Sequence, residues 1–297
     1  MRKTFVQAVI ALMEKHNNIV LLLGDIGVHG FREAFQRFPD RTFNIGIMEQ
    51  SMVSVAAGWA LKGYRPIVHT IAPFLVERAY EQLKIDFGYH SLPGIFVGAG
   101  GSYDYSSLGC THHCPADVSL LENIPGFTIF TPGNSSELED AINRAFTRRC
   151  LSYIRLSERA NTTTNQLGIK CLNALERPST GPTVVSVGPC LDMVRVATMG
   201  LDVCHVYANV IPGEQFKMPW VPKGPVVVVE PWYRSSISQQ IMDNEWPNAA
   251  QVINFCVPKS FIRSYGKIND IDQKIGFTAD RLRVIVSNLC TTQNLPV

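Results

Sequence analysis

The chain has 297 residues, 46% of them hydrophobic, which is enough for substantial apolar cores and, at roughly 150 residues per domain, for about two domains. Twenty-seven Lys and Arg against 25 Asp and Glu leave a formal charge of +2 without a run of like charges, so neither nucleic acid nor a membrane surface is indicated as a partner. Eight cysteines scattered without a framework, in a chain too large to need staples, read as reduced thiols and a cytoplasmic setting.

In chain order, "MRKTFVQAVIALMEK" imitates a leader, but Gln7 breaks its apolar run, Glu14 follows and no small-residue cleavage site appears. Phe5, Val9, Leu12 and Met13 fall at helical spacing and predict a helix over 2–15. No window reaches the ~18 apolar residues of a membrane span. "NIVLLLGD" is a continuous apolar strand ending at Gly24 and Asp25, and the short helix "FREAFQRF" follows a loop. Glu49 opens the next helix, closed by Gly63, before the strand "RPIVHTIA". "PFLVERAYEQLKIDFGYH" reads as one helix, "GIFVGAGG" as a strand, "SYDYSSLGCTHHCPAD" as a long loop and "SLLENIP" as a short helix. "FTIFTPG" and "LSYIRLS" are strands flanking the helix "SSELEDAINRAFTRR".

This alternation is that of a mainly parallel sheet covered on both faces, an α/β domain over 1–160. Residues 161–180 lose periodicity and gain Thr, Asn and Pro, as a linker does. Over 181–297 the strand candidates "TVVSVG", "DVCHVYANVI", "GPVVVVE" and "QVINFC" and the helix "TADRLRVIVSNL" predict a second, smaller α/β domain.

Glu49 is the anomaly. Its helix offers Met52, Val53, Val55, Ala56, Ala57, Trp59, Ala60 and Leu61, apolar around nearly the whole circumference and expected to be buried on all sides. A carboxylate in that first turn either complements the helix dipole, worth ~0.3 to 1 kcal/mol, or is shielded for chemistry.

The run from "GDIGVHGF" through "NIGIMEQSMVSVAAGWALKGYRPIVHTIAPF", continued in "RAYEQLKIDFGYH", "SLGCTHHCPADVSLLENIPGFTIFTPG" and "YIRL", resembles the pyrimidine-binding domain of the transketolase family of thiamine-diphosphate enzymes. It is similar above all to the small subunits of split transketolases and the matching part of deoxyxylulose-phosphate synthase. The likeness continues more weakly through "YANVIPGEQF", "VVVVE" and "VPKSFIRSYG", so a transketolase C-terminal-like domain is expected after the first. The resemblance implies that Glu49, in "GIMEQ", hydrogen-bonds the cofactor's aminopyrimidine ring nitrogen and favours its imino tautomer. Burial, which raises a carboxyl pKa, suits that exchange of a proton. It implies that Phe74 packs on the aminopyrimidine with Ile71 on the same wall, and that Asp25, at a strand's carboxyl end, lies near the cofactor. An ordinary core phenylalanine and a capping aspartate are the plain alternatives.

In "GCTHHC", His112 takes the place of the family's substrate-contacting histidine, with His113 beside it. A zinc site of Cys110, His112, His113 and Cys114 is the rival reading, but ligands this close in sequence do not easily converge tetrahedrally. The resemblance implies that His29, in the loop after the first strand, faces the region where relatives place an acceptor-binding residue, unless it is simply a solvent-exposed loop histidine. Arg155, in "SYIRLSER", stands where sugar-phosphate-using relatives hold the terminal phosphate, unless it pairs with a carboxylate such as Glu158. The chain departs from the family at Cys110, where proline is usual, at Leu108, where transketolases have aspartate, and at Gly100, where they have a further histidine.

The motif that anchors the diphosphate and its divalent metal elsewhere in the family is absent, since "GDIG" is on the wrong strand and no asparagine follows at the required spacing. The resemblance therefore implies a companion subunit that holds the diphosphate with Mg²⁺ or Ca²⁺, in an α2β2 assembly acting on sugars or sugar phosphates. The enzyme expected is a transketolase-like transferase active only with that partner. A 2-oxo-acid dehydrogenase β subunit or a non-catalytic partner subunit are the alternatives.

Overall fold

The computed structural model describes residues 1–166, 173–174, 181–211, 224–235, 237–239 and 251–292. Continuous apolar stretches build its first sheet. β1 (Ile19–Leu23), β3 (Arg65–Ile71), β4 (Gly94–Ala99) and β6 (Leu151–Leu156) are buried along their whole length, as parallel strands covered on both faces must be. With β2 (Thr42–Asn44), β5 (Phe127–Phe130) and β10 (Val210–Ile211) they make seven strands in the order β10-β5-β6-β4-β3-β1-β2, parallel except for β10. Helix α1 (Arg2–Lys15) packs on α7 (Ser135–Arg148), while α3 (Glu49–Leu61) lies over β3 and β1. The short helices are α2 (Arg32–Arg37), α4 (Ala72–Val76), α5 (Tyr80–Gln82) and α6 (Asp117–Leu121).

The second sheet has five strands, β12 (Val252–Cys256), β11 (Val226–Glu230), β8 (Thr183–Val187), β9 (Cys204–Ala208) and β7 (Asn173–Ala174), in that order and parallel except for β7. Val184, Val194, Val227, Phe255, Phe277 and Leu282 form its separate core beneath α8 (Leu191–Thr198) and α10 (Ala279–Thr292), with α9 (Ile268–Ile275) beside it.

Four sequence expectations change. The stretch "DVCHVYANVI" is not one strand: it turns at Asn209, whose carbonyl accepts from Thr131 N–H at 2.8 Å, and passes from β9 in the second sheet to β10 in the first. The expected linker contributes β7, although 167–172 and 175–180 lie outside the described residues. The single helix from Pro73 to His90 breaks into α4, α5 and a π-helix at Leu83–Tyr89. At the break, Pro73 carbonyl accepts from both Glu77 and Arg78 N–H, an irregularity of the kind found at functional sites. Finally, α3 is not buried all round. It packs against β3, β1, α5 and the π-helix, and Val55 and Leu61 are exposed.

The two sheets are locked together by Asp272, whose carboxylate accepts from Tyr103 Oη at 2.5 Å and from Arg159 Nη1 and Nη2 at 2.9 and 2.6 Å.

Candidate active site

The parallel strands of the first sheet bring Asp25, Ile71 and Gly100 to one end, the carboxyl end, of β1, β3 and β4. Asp25 holds a left-handed backbone, with φ at 64°, a conformation Asp tolerates better than most residues and one often found at functional turns. Asn44 fixes it there, accepting from Asp25 N–H at 3.0 Å and donating to Oδ1 at 3.3 Å.

Glu49 is the first residue of α3 and is fully buried. Its Oε2 accepts from Arg78 Nη1 at 2.6 Å, but its Oε1, equally buried, has no hydrogen-bond partner among the described residues. An unmet buried carboxylate oxygen costs roughly 1 to 3 kcal/mol or more, so it invites a donor. Arg78 also lies over the Phe74 ring at 4.1 Å, and that half-buried ring meets His112 edge-on at 5.4 Å. Glu49, Arg78, Phe74 and His112 thus form one continuous line, with the buried Ile71 leading into the helix that carries Phe74.

The long loop carrying His112 is closed at its base by a two-bond bridge. Ser102 N–H donates to Cys114 carbonyl at 3.1 Å and Cys114 N–H to Ser102 carbonyl at 2.6 Å. Thr111 Oγ1 sits 2.9 Å from His112 Nδ1 and orients the ring. Gly100 adopts φ 73°, and a Cβ there would lie 2.1 Å from Cε2 of Tyr105. The Tyr105 ring therefore fills the space a side chain at 100 would take, 6.1 Å from His112, and Arg2 donates to its hydroxyl at 2.9 Å.

Other expected residues are not brought to this line. His113 turns away into the interior, where burial holds its pKa below the usual imidazole value. His29 is in an exposed turn. Arg155 is not at an open strand end: it is 2% exposed, donates from Nε to Asp117 Oδ2 at 2.8 Å, and lies 4.9 Å from the Trp232 ring. Gly101 makes room for it, since a Cβ there would lie 2.4 Å from the guanidinium carbon. Its suggested alternative partner, Glu158, pairs with Arg2 instead, at 3.1 Å. Cys110 is exposed whereas Cys114 is buried, and no group of three or more His, Cys, Asp or Glu among the described residues is arranged to hold a metal.

Arg78, Tyr105 and Thr111 escaped the sequence reading. Arg78 stands four residues after Phe74, a spacing at which side chains of a helical segment meet, and this was the available signal. The unmet Glu49 Oε1, linked to Phe74 through Arg78, fits a flat heteroaromatic ring whose nitrogen carries a proton, as the aminopyrimidine of thiamine diphosphate does in its imino or protonated form.

Comparison with known proteins identifies the family and the fold. Residues 1–163 match the family model described as the transketolase pyrimidine-binding domain. The chain is 33% identical over 276 residues to an uncharacterized 33.6 kDa protein in the fasciation locus of Rhodococcoides fascians, covering 91% of this chain and 88% of that one. It is 37% identical over 121 residues to an apulose-4-phosphate transketolase subunit of Actinobacillus succinogenes, where the match spans 41% of this chain and only 39% of the relative. A solved structure described as a split gene transketolase, inactive beta4 tetramer, superposes with a TM-score of 0.82 at 23% identity, over 98% of both chains, and shares the fold. The chain belongs to the transketolase pyrimidine-binding family.

Proposed function

We propose that the chain is the small subunit of a two-chain, thiamine-diphosphate-dependent transketolase that transfers a two-carbon ketol unit from a ketose to an aldehyde. The observation that carries this is the buried Glu49 Oε1 without a partner among the described residues, set against an aromatic wall. Thiamine diphosphate, when bound, supplies the nucleophilic carbon that adds to the ketose carbonyl.

The residues of this chain divide the remaining work. Arg78 holds Oε2, so Glu49 presents Oε1 in a fixed direction and can hold a proton there. Phe74 and Ile71 pack on the ring and exclude water. His112, oriented by Thr111, faces the substrate and donates to its oxygens. Asp25, held by Asn44, stands on the same end of the sheet. The companion subunit holds the diphosphate and its Mg²⁺ or Ca²⁺, in a cytoplasmic α2β2 assembly. Because Arg155 is locked onto Asp117, recognition of a substrate phosphate falls to other groups.

The reading is tested with Glu49→Gln in the complex reconstituted with its partner. Loss of the exchangeable proton at Oε1 is expected to slow hydrogen–deuterium exchange at the thiazolium carbon by ~10² to 10⁴, with cofactor affinity changed far less. Exchange at the native rate sinks the assignment.

A further inference from the structure

A recess of about 550 Å³ opens at the opposite end of the first sheet. Its walls include Lys15 and His16 at the end of α1, Asn18, Arg65 at the start of β3, and Phe146 and Arg149 at the end of α7. No Asp or Glu among the described residues lines it. Arg65 and Ile71 are the two ends of one strand, six steps or about 20 Å apart, so the recess is separate from the Glu49 site.

Arg65 is the informative group. It is 2% exposed, and its Nη2 donates to the carbonyls of Ala145 and Phe146 at 3.1 and 2.9 Å, which closes the last turn of α7. Its Nε and Nη1 are buried and have no hydrogen-bond partner among the described residues, although the guanidinium carbon lies 5.6 Å from the Phe146 ring centre. The other buried arginine, Arg155, meets Asp117, and the part-buried Arg159 meets Asp272, whereas Arg65, like the part-buried Arg41, has no ion pair among the described residues. Burial, and next the nearby charge of Arg149, push the Arg65 guanidinium below its usual pKa, the mark of a cation without its counterion. Helix carbonyls do not compensate further. Those of Met13 and His16 at the end of α1 are already taken by Arg41, at 3.2 and 2.9 Å, which also donates to the Ile19 carbonyl of β1 at 3.2 Å. The Lys15 ammonium and the Arg149 guanidinium, both on exposed residues, remain available. The His16 ring, held against Phe146 at 4.4 Å, forms a firm wall.

We propose that this recess binds a phosphate dianion, free or carried on a small metabolite, through Arg149 and Lys15, with the buried Arg65 guanidinium lending its charge from the recess wall. The dianion supplies a counter-charge to the buried Arg65, and the exposed Arg149 guanidinium suits phosphate oxygens through directed, charge-assisted hydrogen bonds. The recess is larger than the ion itself, leaving room for a small organic group.

Calorimetric titration of the full chain, and of the complex with its partner, with inorganic phosphate at ionic strength matched by chloride tests this. One saturable site per chain is expected. Lys15→Ala and Arg149→Ala, at exposed positions that leave the core untouched, should each weaken it by about tenfold or more, while Glu49→Gln leaves it unchanged. A parallel titration with glucose 6-phosphate distinguishes the sources: tighter binding than inorganic phosphate assigns a metabolite, equal or weaker binding assigns the free ion. No heat beyond the chloride control, or identical affinity in the Lys15→Ala/Arg149→Ala double variant, overturns the site and leaves water as the partner of Arg65.

Discussion

Glu49 and Glu137 are the same residue type at the same burial, each in the first turn of a helix, yet they occupy regions with opposite logic. At the junction of the sheets, Glu137 Oε2 accepts from Gly133 N–H, Tyr207 Oη and Asn209 Nδ2 at 2.7, 2.8 and 3.3 Å, and Oε1 accepts from Asn165 N–H at 3.0 Å. Every oxygen there is used to hold protein to protein. At the end of β1 and β3, one oxygen of Glu49 is used and the other is kept back. What separates the two buried carboxylates is the unfilled acceptor of Glu49, on which its proposed role rests, since burial is common to both.

Replacement exposes the difference most at Glu137. Glu137→Leu strands several buried donors at ~1 to 3 kcal/mol each, so urea unfolding is expected to show a loss of about 3 to 5 kcal/mol. Glu49→Gln, by contrast, should stay within about 1 kcal/mol of the native chain in the same assay. Equal destabilisation by the two variants would erase the distinction.

A third buried glutamate sharpens it. Both oxygens of Glu230 are met by Ser235, from Oγ at 2.6 Å and from N–H at 3.0 Å, but desolvation still dominates and pushes its pKa up from 4.5 to about 7. The folded chain therefore keeps a proton that the unfolded chain releases. The stability this contributes is fully present below pH 4.5 and is lost as pH rises to about 7. Glu230→Gln should remove that decline, gaining at most about 3 kcal/mol at pH 8 relative to pH 4. Parallel pH–stability curves for the two proteins would refute the shift.

The smallest effect concerns the filled oxygen of Glu49. Arg78→Met removes the group that aims the carboxylate while leaving Oε1 in place, so turnover of the reconstituted complex should fall by about tenfold. That loss is well short of the one expected for Glu49→Gln. A loss as large as the glutamine variant's would make Arg78 a direct participant.

Most strands were legible because a parallel sheet buried on both faces demands unbroken apolar runs, and "IVLLL" and "VVVVE" can be little else. Glu49 and Phe74 were singled out through their motif and not through spacing, and the structure joins them through Arg78. Arg155 misled because a strand-end arginine looks identical in sequence whether it faces water or Asp117; only the small Gly101 opposite it marks the interior choice. β2 and the β9 to β10 turn were missed because three-residue and two-residue strands carry no periodicity. Tyr105 was hidden by a compensation between positions, its ring entering the space left by Gly100, which no single residue announces.

The passage of one segment from β9 into β10 also has a bearing on self-association. β10 pairs antiparallel with Ile129 and Phe130 of β5 and so covers that edge of the other six strands of the first sheet. A fragment ending at residue 166 would lack this cover and present β5, with Phe127, Ile129 and Phe130, as a bare template for a neighbouring molecule. The second half of the chain thus serves the first as a selvedge, a finished border that keeps the sheet from fraying into its neighbours.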